Sequence, residues 1–522
     1  MNRIQGFAVA VGVALLAAGC DDDFLTTLPP DQVSGAVFWT QQKDAELAVV
    51  ALYNQNQAEE RTVRLDAQTD NAWAQQSFDS RYIIAQGAAD ALNGTFLSVW
   101  NQAYTGIRRA NEVLANIDKI EVISPASLRD RLKGEAKFWR AYHYFYLVNL
   151  YGDVPLYTTP IEIPEGQAAT RTPRAQVIDQ VLKDLDEAAA VLPTTYAAAE
   201  RGRVTKGAAL AYRAAAALHE GRWAIAEDAA KAVIDLNIYK LHPNYADLTR
   251  YAGDNSAELI LTDVREKGVR GQGLFGSIAQ GSLLGTSTLV PIRELIDFYQ
   301  MKDGLPTSQS TLDRPDAPYA DRDPRMYATV VFPGASYCGI TYNSLPGSKT
   351  ADEIRKDFNT TSTGFNFIKY VDCADRNDRG NSGVDYILMR YADVLLMYAE
   401  AKIEQNEIAD GAARNAINEV RTRAGMPAIA TGLSQAALRD AVRYERRAEF
   451  VLEGRRLFDI RRWKLAEQVM PGQKFGIDYV EGGVTKKYVA DNRAFNPARD
   501  YLWAIPQREL DLAPGLKQNP GY

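Results

Sequence analysis

The 522-residue chain is poor in metal-binding and nucleophilic side chains. It has three histidines (His143, His219, His242) and three cysteines. No histidine sits in a His-Glu-x-x-His arrangement and the cysteines lack ligand spacing, so no zinc or other metal centre is expected. A Gly-x-Ser-x-Gly nucleophile elbow and a Walker phosphate loop are both missing. Gly271-x-Gly273-x-x-Gly276 has the spacing of a dinucleotide fingerprint, but no clear helix follows it, and such loops match by chance. No cofactor is therefore expected. Excess positive charge is also missing: 59 Lys and Arg stand against 66 Asp and Glu, for a net charge of −7. That argues against a general nucleic-acid or anionic-membrane binder. Beyond residue 19 no stretch reaches the roughly 18 apolar residues that a membrane helix needs.

What remains is the composition of a globular protein with a large core, 46% hydrophobic and 24% charged, long enough for one large or two to three ordinary domains. Tyrosine is abundant, 27 residues beside 7 tryptophans. Rings with an apolar body and a polar tip suit half-wet surfaces that grip a polar ligand, although most must serve a helical core.

The N-terminus reads as an export signal. Arg3 precedes an uncharged run from Ile4 to Gly19 that ends in small residues, as in a secretory signal peptide. Leu16-Ala17-Ala18-Gly19-Cys20 resembles a bacterial lipobox, in which Cys20 is acylated and becomes the new N-terminus; ordinary cleavage beside a chance cysteine is the alternative. Two or three acyl chains, at ~0.8 kcal/mol per buried methylene, hold a protein to a bilayer without spanning it. Export also permits a disulfide between Cys338 and Cys373, 35 positions apart; two isolated buried thiols are the other possibility.

Most of the chain carries helical periodicity. "GAALAYRAAAALHEGRWAIAEDAAKAVIDL" places small residues at helical spacing, breaks at Gly221, and resumes with Trp223, Ala226 and Ala230, the plan of a tetratricopeptide-like hairpin. "RYADVLLMYAEAKIEQNEIADGAARNAINEVRTRAG" predicts a second pair with an almost wholly apolar first helix, ended by Gly425 and Pro427. "GEAKFWRAYHYFYLVNLYGDVP" predicts a further helix. Residues 254–390 differ, with short strand-like runs (Glu258 to Val264, Tyr327 to Phe332) among Gly, Pro, Asp and Ser. Long loops inside a compact protein usually carry function or are mobile. The fold class expected is mainly α, an α-α superhelical scaffold of TPR-like pairs.

Three clusters invite chemistry. Asp375, Asn377 and Gly380 fit the start of an EF-hand loop, but position twelve is Tyr386 where a glutamate is required. An irregular calcium site using Asp372, Asp375 or Asp378 is a weaker alternative to a solvated loop. Glu445 and Glu449 lie one helical turn apart on an apolar face, where burial would raise a carboxyl pKa towards general-acid duty. The alternative is a core network with nearby arginines, drawn from Arg446, Arg447, Arg455, Arg456, Arg461 and Arg462, since unpaired buried carboxylates cost several kcal/mol. Six arginines favour the network. Finally, "LDAQTDNAWAQQSFDSRYIIAQG" sets Trp73, Phe78 and Tyr82 among Asp70, Asn71, Asp79 and Arg81, a mixture able to stack on sugars and bond their hydroxyls.

Taken in order, "CDDDFLTTLPP", "WNQAYTGIRRANEVL", "GEAKFWRAYHYFYLVNLYGDVPL", "RYADVLLMYAEA", "ERRAEFVLEGRRLFDIRRW" and "IPQREL" resemble the SusD/RagB family of surface lipoproteins of glycan-foraging Gram-negative bacteria. The resemblance implies TPR-like pairs packed against an irregular, loop-rich ligand-binding half with a few short strands. It divides the chain into a signal peptide (1–19), an N-terminal region (20–250) and a C-terminal region (251–522). It implies a non-catalytic protein that binds oligosaccharides, or peptides in the RagB branch, and delivers them to a SusC-like TonB-dependent outer-membrane barrel. Membrane contact is through the lipid alone. Asp21 to Asp23 resemble the surface-export signal of such bacteria. By position after the first helix, Asp70, Trp73, Phe78, Arg81 and Tyr82 are the expected ligand residues, with Phe275 and Tyr337 from the loop-rich middle.

Overall fold

A computed structural model describes residues 38–522; Cys20 and the acidic run after it lie outside them. Helices dominate. The principal ones are α1 (Gln42–Tyr53), α2 (Gly94–Asn116), α3 (Ala126–Tyr151), α4 (Arg174–Val191), α5 (Lys206–His219), α6 (Trp223–Asp235), α7 (Tyr391–Glu404), α8 (Ala412–Arg423) and α9 (Gln435–Glu449). From α2 to α8 each packs on the next in chain order, and α9 returns against α7. This is the superhelix of antiparallel pairs that the periodicity predicts.

The packing follows from the side chains. The Ala-rich face of α5, Ala208 through Ala217, is buried, so neighbouring backbones approach closely. Gly221 turns the corner to α6 at φ +67°, and a Cβ there would meet the Trp223 ring at 3.5 Å. In α3 every residue from Phe138 to Tyr151 is buried, which makes this aromatic helix the axis of the core. Each such ring contributes on the order of 2 kcal/mol by leaving water. Polar tips are matched to partners: Tyr142 donates to the Asn56 carbonyl at 2.8 Å, and Arg140 clasps Asp184 at 2.7 and 2.8 Å. One continuous cluster of buried side chains runs from Ala45 to Ile505.

The remaining half is loops pinned by two-stranded antiparallel pairs: β1 (Ala72–Ala74) with β3 (Leu289–Pro291), β2 (Leu259–Asp263) with β8 (Tyr386–Arg390), β4 (Val330–Val331) with β7 (Asn366–Phe367), and β5 (Ser336–Tyr337) with β6 (Ile340–Thr341). The strand expected over Tyr327 to Phe332 shrinks to β4, because Asp323 caps a short helix, Pro324–Thr329, that takes up its first half. A long hairpin, β9 (Gly472–Glu481) and β10 (Val484–Arg493), turns at Gly482-Gly483, both at positive φ.

Candidate ligand-binding site

The segment rich in aromatics after α1 lies across the loop-rich half. β1 pairs with β3 so that Trp73 faces Val290. Arg493 holds it from below, donating to the carbonyls of Thr69 (2.7 Å) and Ala72 (2.9 Å). Gln75 then reaches the loop at 353–363: its amide donates to the Thr360 carbonyl at 2.8 Å, and its carbonyl accepts the Ser362 N–H at 2.7 Å. This double tie sets Phe358 against Phe78, ring centroids 5.8 Å apart and planes 24° from parallel. Both rings face solvent, Phe78 at 74% and Phe358 at 62%. Two phenyl rings packed together and open to solvent present an apolar surface of the kind that marks an interaction site.

The β9–β10 hairpin closes one side. Its Ala490 packs with Trp73, Val290 and Ile292, and Tyr82 leans on the same cluster. Arg355, exposed and at φ +52°, spreads its guanidinium 4.9 Å from the Tyr488 ring centroid and donates to the Val489 and Ala490 carbonyls at 3.3 Å. A bulky residue held in the left-handed region costs on the order of 1 kcal/mol or more, and such strain clusters at ligand clamps. Neither Phe358 nor Tyr488 stood out in the sequence; the only signal was an aromatic among polar neighbours.

The expected ligand residues separate into groups. Phe78 is on the platform and Tyr82 is half-buried at its edge, 6.1 Å from Trp73. Burial removes three residues from direct contact. Trp73 is 4% exposed and packs against Val290, Ile292, Ala490 and Tyr82. Asp70 is buried in an ion pair with Arg456 (2.7 and 2.8 Å) and Arg447 (3.1 Å). Desolvation opposes its ionisation, but the two guanidiniums hold the carboxyl well below the usual range. Phe275, on a short helix, Leu274–Ile278, is fully buried in the core. Arg81 neighbours the platform, yet its guanidinium is taken by Asp79 (2.9 Å) and Glu60 (3.1 Å). Tyr337 lies elsewhere, in a cavity beside the β5–β6 hairpin. Cys338, at the turn of that hairpin, is disulfide-bonded to Cys373.

Glu445 and Glu449 are fully buried and meet arginines. Arg325 bridges both (2.5 and 3.0 Å), Arg421 holds Glu445 at 3.0 Å, and Arg390 and Arg423 hold Glu449, Arg390 at 2.6 Å. The network is the expected kind but has different members: none of the six arginines drawn from the neighbouring sequence contributes. Successive helical residues point 100° apart, so Arg446 turns to Asp393 and Asp459, Arg447 and Arg456 to Asp70, and Arg462 to Glu400. In the acidic loop, Asp375 accepts from Tyr251 at 2.8 Å and Lys267 at 3.1 Å. Lys267 thus already pairs with Asp375 and Asp378, and the described residues contain no group of acidic, histidine or cysteine side chains placed to hold a metal.

Comparison with known proteins agrees with this architecture. The profile of the SusD family matches residues 250–522, and one described as starch-binding, associating with the outer membrane, matches residues 23–218. A SusD-like protein of Formosa agariphila is 26% identical over the full length of both chains. The starch-binding protein SusD of Bacteroides thetaiotaomicron is 24% identical, covering 78% of this chain and 75% of its own. Among solved structures, a SusD-like carbohydrate-binding protein of Bacteroides fragilis superposes with a TM-score of 0.85 at 28% identity, covering 92% of this chain and all of that one.

Proposed function

The chain belongs to the SusD family, and from that premise we propose that it binds oligosaccharides at the cell surface, without cleaving them, and hands them to a SusC-like TonB-dependent barrel. Lipidated Cys20 holds it on the outer membrane. The observation that carries the ligand class is the exposed Phe78–Phe358 stack, with Tyr82 four residues beyond Phe78 and Arg355, which spreads over Tyr488, three residues before Phe358. Flat rings take the C–H faces of sugars, and a guanidinium tied to backbone carbonyls keeps donors free for hydroxyls. Against catalysis stands the location of the one carboxylate pair that suggested it: Glu445 and Glu449 are sealed among arginines. Burial raises the Glu445 carboxyl, whereas for Glu449 the guanidiniums outweigh burial and keep it ionised far below the usual range. Neither carboxyl is open to a substrate, and a general acid must reach the atom it protonates.

The test is calorimetric titration against a panel of polysaccharides and oligosaccharides, with peptides alongside. At least one glycan should bind, and replacing Phe78 and Phe358 together by Ala should weaken it ~10-fold or more, about 1.4 kcal/mol, with the melting temperature unchanged. Binding to peptides and to no glycan would move the protein to RagB-type uptake. Undiminished glycan affinity in the double variant would remove the platform from the site.

A further inference from the structure

We propose that the cavity beside the β5–β6 hairpin is a second ligand site, separate from the aromatic platform, for a sugar that carries a carboxylate or a sulfate. The cavity is an open cleft of about 480 Å³, in the range of small-molecule sites. Arg250, Arg325 and Arg423 line it, and no aspartate or glutamate does. An acid-free, arginine-lined cavity is unexpected in a protein of net charge −7.

Two of the arginines are already engaged: Arg325 by Asp323, Glu445 and Glu449, Arg423 by Glu258 and Glu449. Arg250 is different. It forms no ion pair among the described residues, whose pairs elsewhere engage most arginines. Its Nε is buried without a hydrogen-bond partner, as is the Nε of Arg423. The Arg250 guanidinium instead rests 5.5 Å from the centroid of the Tyr337 ring. That ring is immobilised: the Tyr337 hydroxyl donates to the Val371 carbonyl, and the next residue, Cys338, is tied to Cys373. The structure therefore holds a half-buried guanidinium in place against Tyr337, with its Nε unpartnered and no ion pair among the described residues.

A guanidinium fork binds a planar or tetrahedral oxyanion through two parallel N–H bonds. The remaining walls suit a saccharide better than a bare ion. Tyr327 offers a ring 39% exposed, and the exposed Ser336 hydroxyl lines the same cavity. The ligand class is thus a uronate or a sugar sulfate, with Arg250 taking the anion and the tyrosines taking the ring.

The experiment is calorimetry of the full chain at low ionic strength with glucuronate, glucose 6-sulfate, glucose and an acidic dipeptide as probes. At least one of the two acidic sugars should bind and glucose should not, and added salt should weaken the binding. Arg250→Gln should lower that affinity ~10-fold or more, while the Phe78→Ala, Phe358→Ala double variant keeps it. The proposal is overturned if neither acidic sugar binds, if glucose binds equally well, or if only the dipeptide binds. It is also overturned if a folded Arg250→Gln protein binds like the parent, or if the platform variant abolishes the signal. Should Arg250→Gln not fold, the salt dependence and the platform variant decide.

Discussion

Asp66 is a carboxyl group enclosed on every side, and the Leu452 N–H donates to it. Leu452 itself has φ +62°, so the aspartate holds a strained turn in place. Desolvation pushes its pKa from 3.8 up to about 7, against the pull of the Leu452 N–H and of Asn71. The folded value lies above the unfolded one, so the associated stability is complete below pH 4 and is lost as pH rises through 7. The loss amounts to about 4 kcal/mol at most, from a shift of roughly three pKa units. An asparagine side chain at this position would accept the same N–H and never ionise. Asp66→Asn should thus match the parent in urea denaturation at pH 4 and exceed it at pH 8. A parent equally stable relative to the variant at both pH values would show that Asp66 titrates normally. Nothing in "LDAQTD" announces this, since Asp66 and Asp70 look alike there. Only the folded chain puts two arginines on Asp70 and a backbone amide on Asp66. The same holds for Glu445 and Glu449, whose burial was legible from an apolar helical face while their partners came from helices and loops far along the chain.

Elements were more legible than partners. α5 and α6, with Gly221 between them, follow from small residues at helical spacing, and α7 from a sequence apolar all round. Both patterns are local, and local patterns survive folding because each helix must bury its own stripe. The loop-rich half depended on contacts that no local pattern contains. A Gly-Gly pair such as Gly482-Gly483 suits a tight hairpin, but the alternation on β9 and β10 is blurred because the hairpin is exposed over much of its length. Phe358 becomes a platform residue only through the amide of Gln75. At this scale the disulfide matters most. The Cys338–Cys373 bond closes a loop of 35 residues, which in the chain-entropy account contributes about 4 kcal/mol by constraining the unfolded state. Replacing both cysteines by Ser should lower the melting temperature and loosen the β5–β6 hairpin first, seen as faster hydrogen exchange near Tyr337 than at the Phe78–Phe358 platform. Equal exchange in both regions would mean that the short strands hold the hairpin unaided.

For the whole molecule, attachment through Cys20 and ligand capture are separable, because Cys20 precedes every described element. No described helix is long and apolar enough to cross a bilayer, and a net charge of −7 gives the folded body little attraction to an anionic surface. If the acyl chains on Cys20 supply the attachment, each contributes roughly 0.8 kcal/mol per methylene, more than enough to dominate partitioning. Cys20→Ala should therefore release the protein from the membrane fraction of a Gram-negative host, with glycan affinity and melting temperature unaltered. Replacing Asp21, Asp22 and Asp23 by Ser should leave it membrane-bound but reduce its accessibility to protease added outside the cell. The two readouts test different physics. Carboxylates that cannot enter hydrocarbon begin a hydrated tether whatever their number, so a solubility role alone predicts no change in protease access. A protein that stays with the membrane after Cys20→Ala would instead be held by a contact other than its lipid, the proposed barrel being the first to test, and the lipid would then be dispensable for attachment.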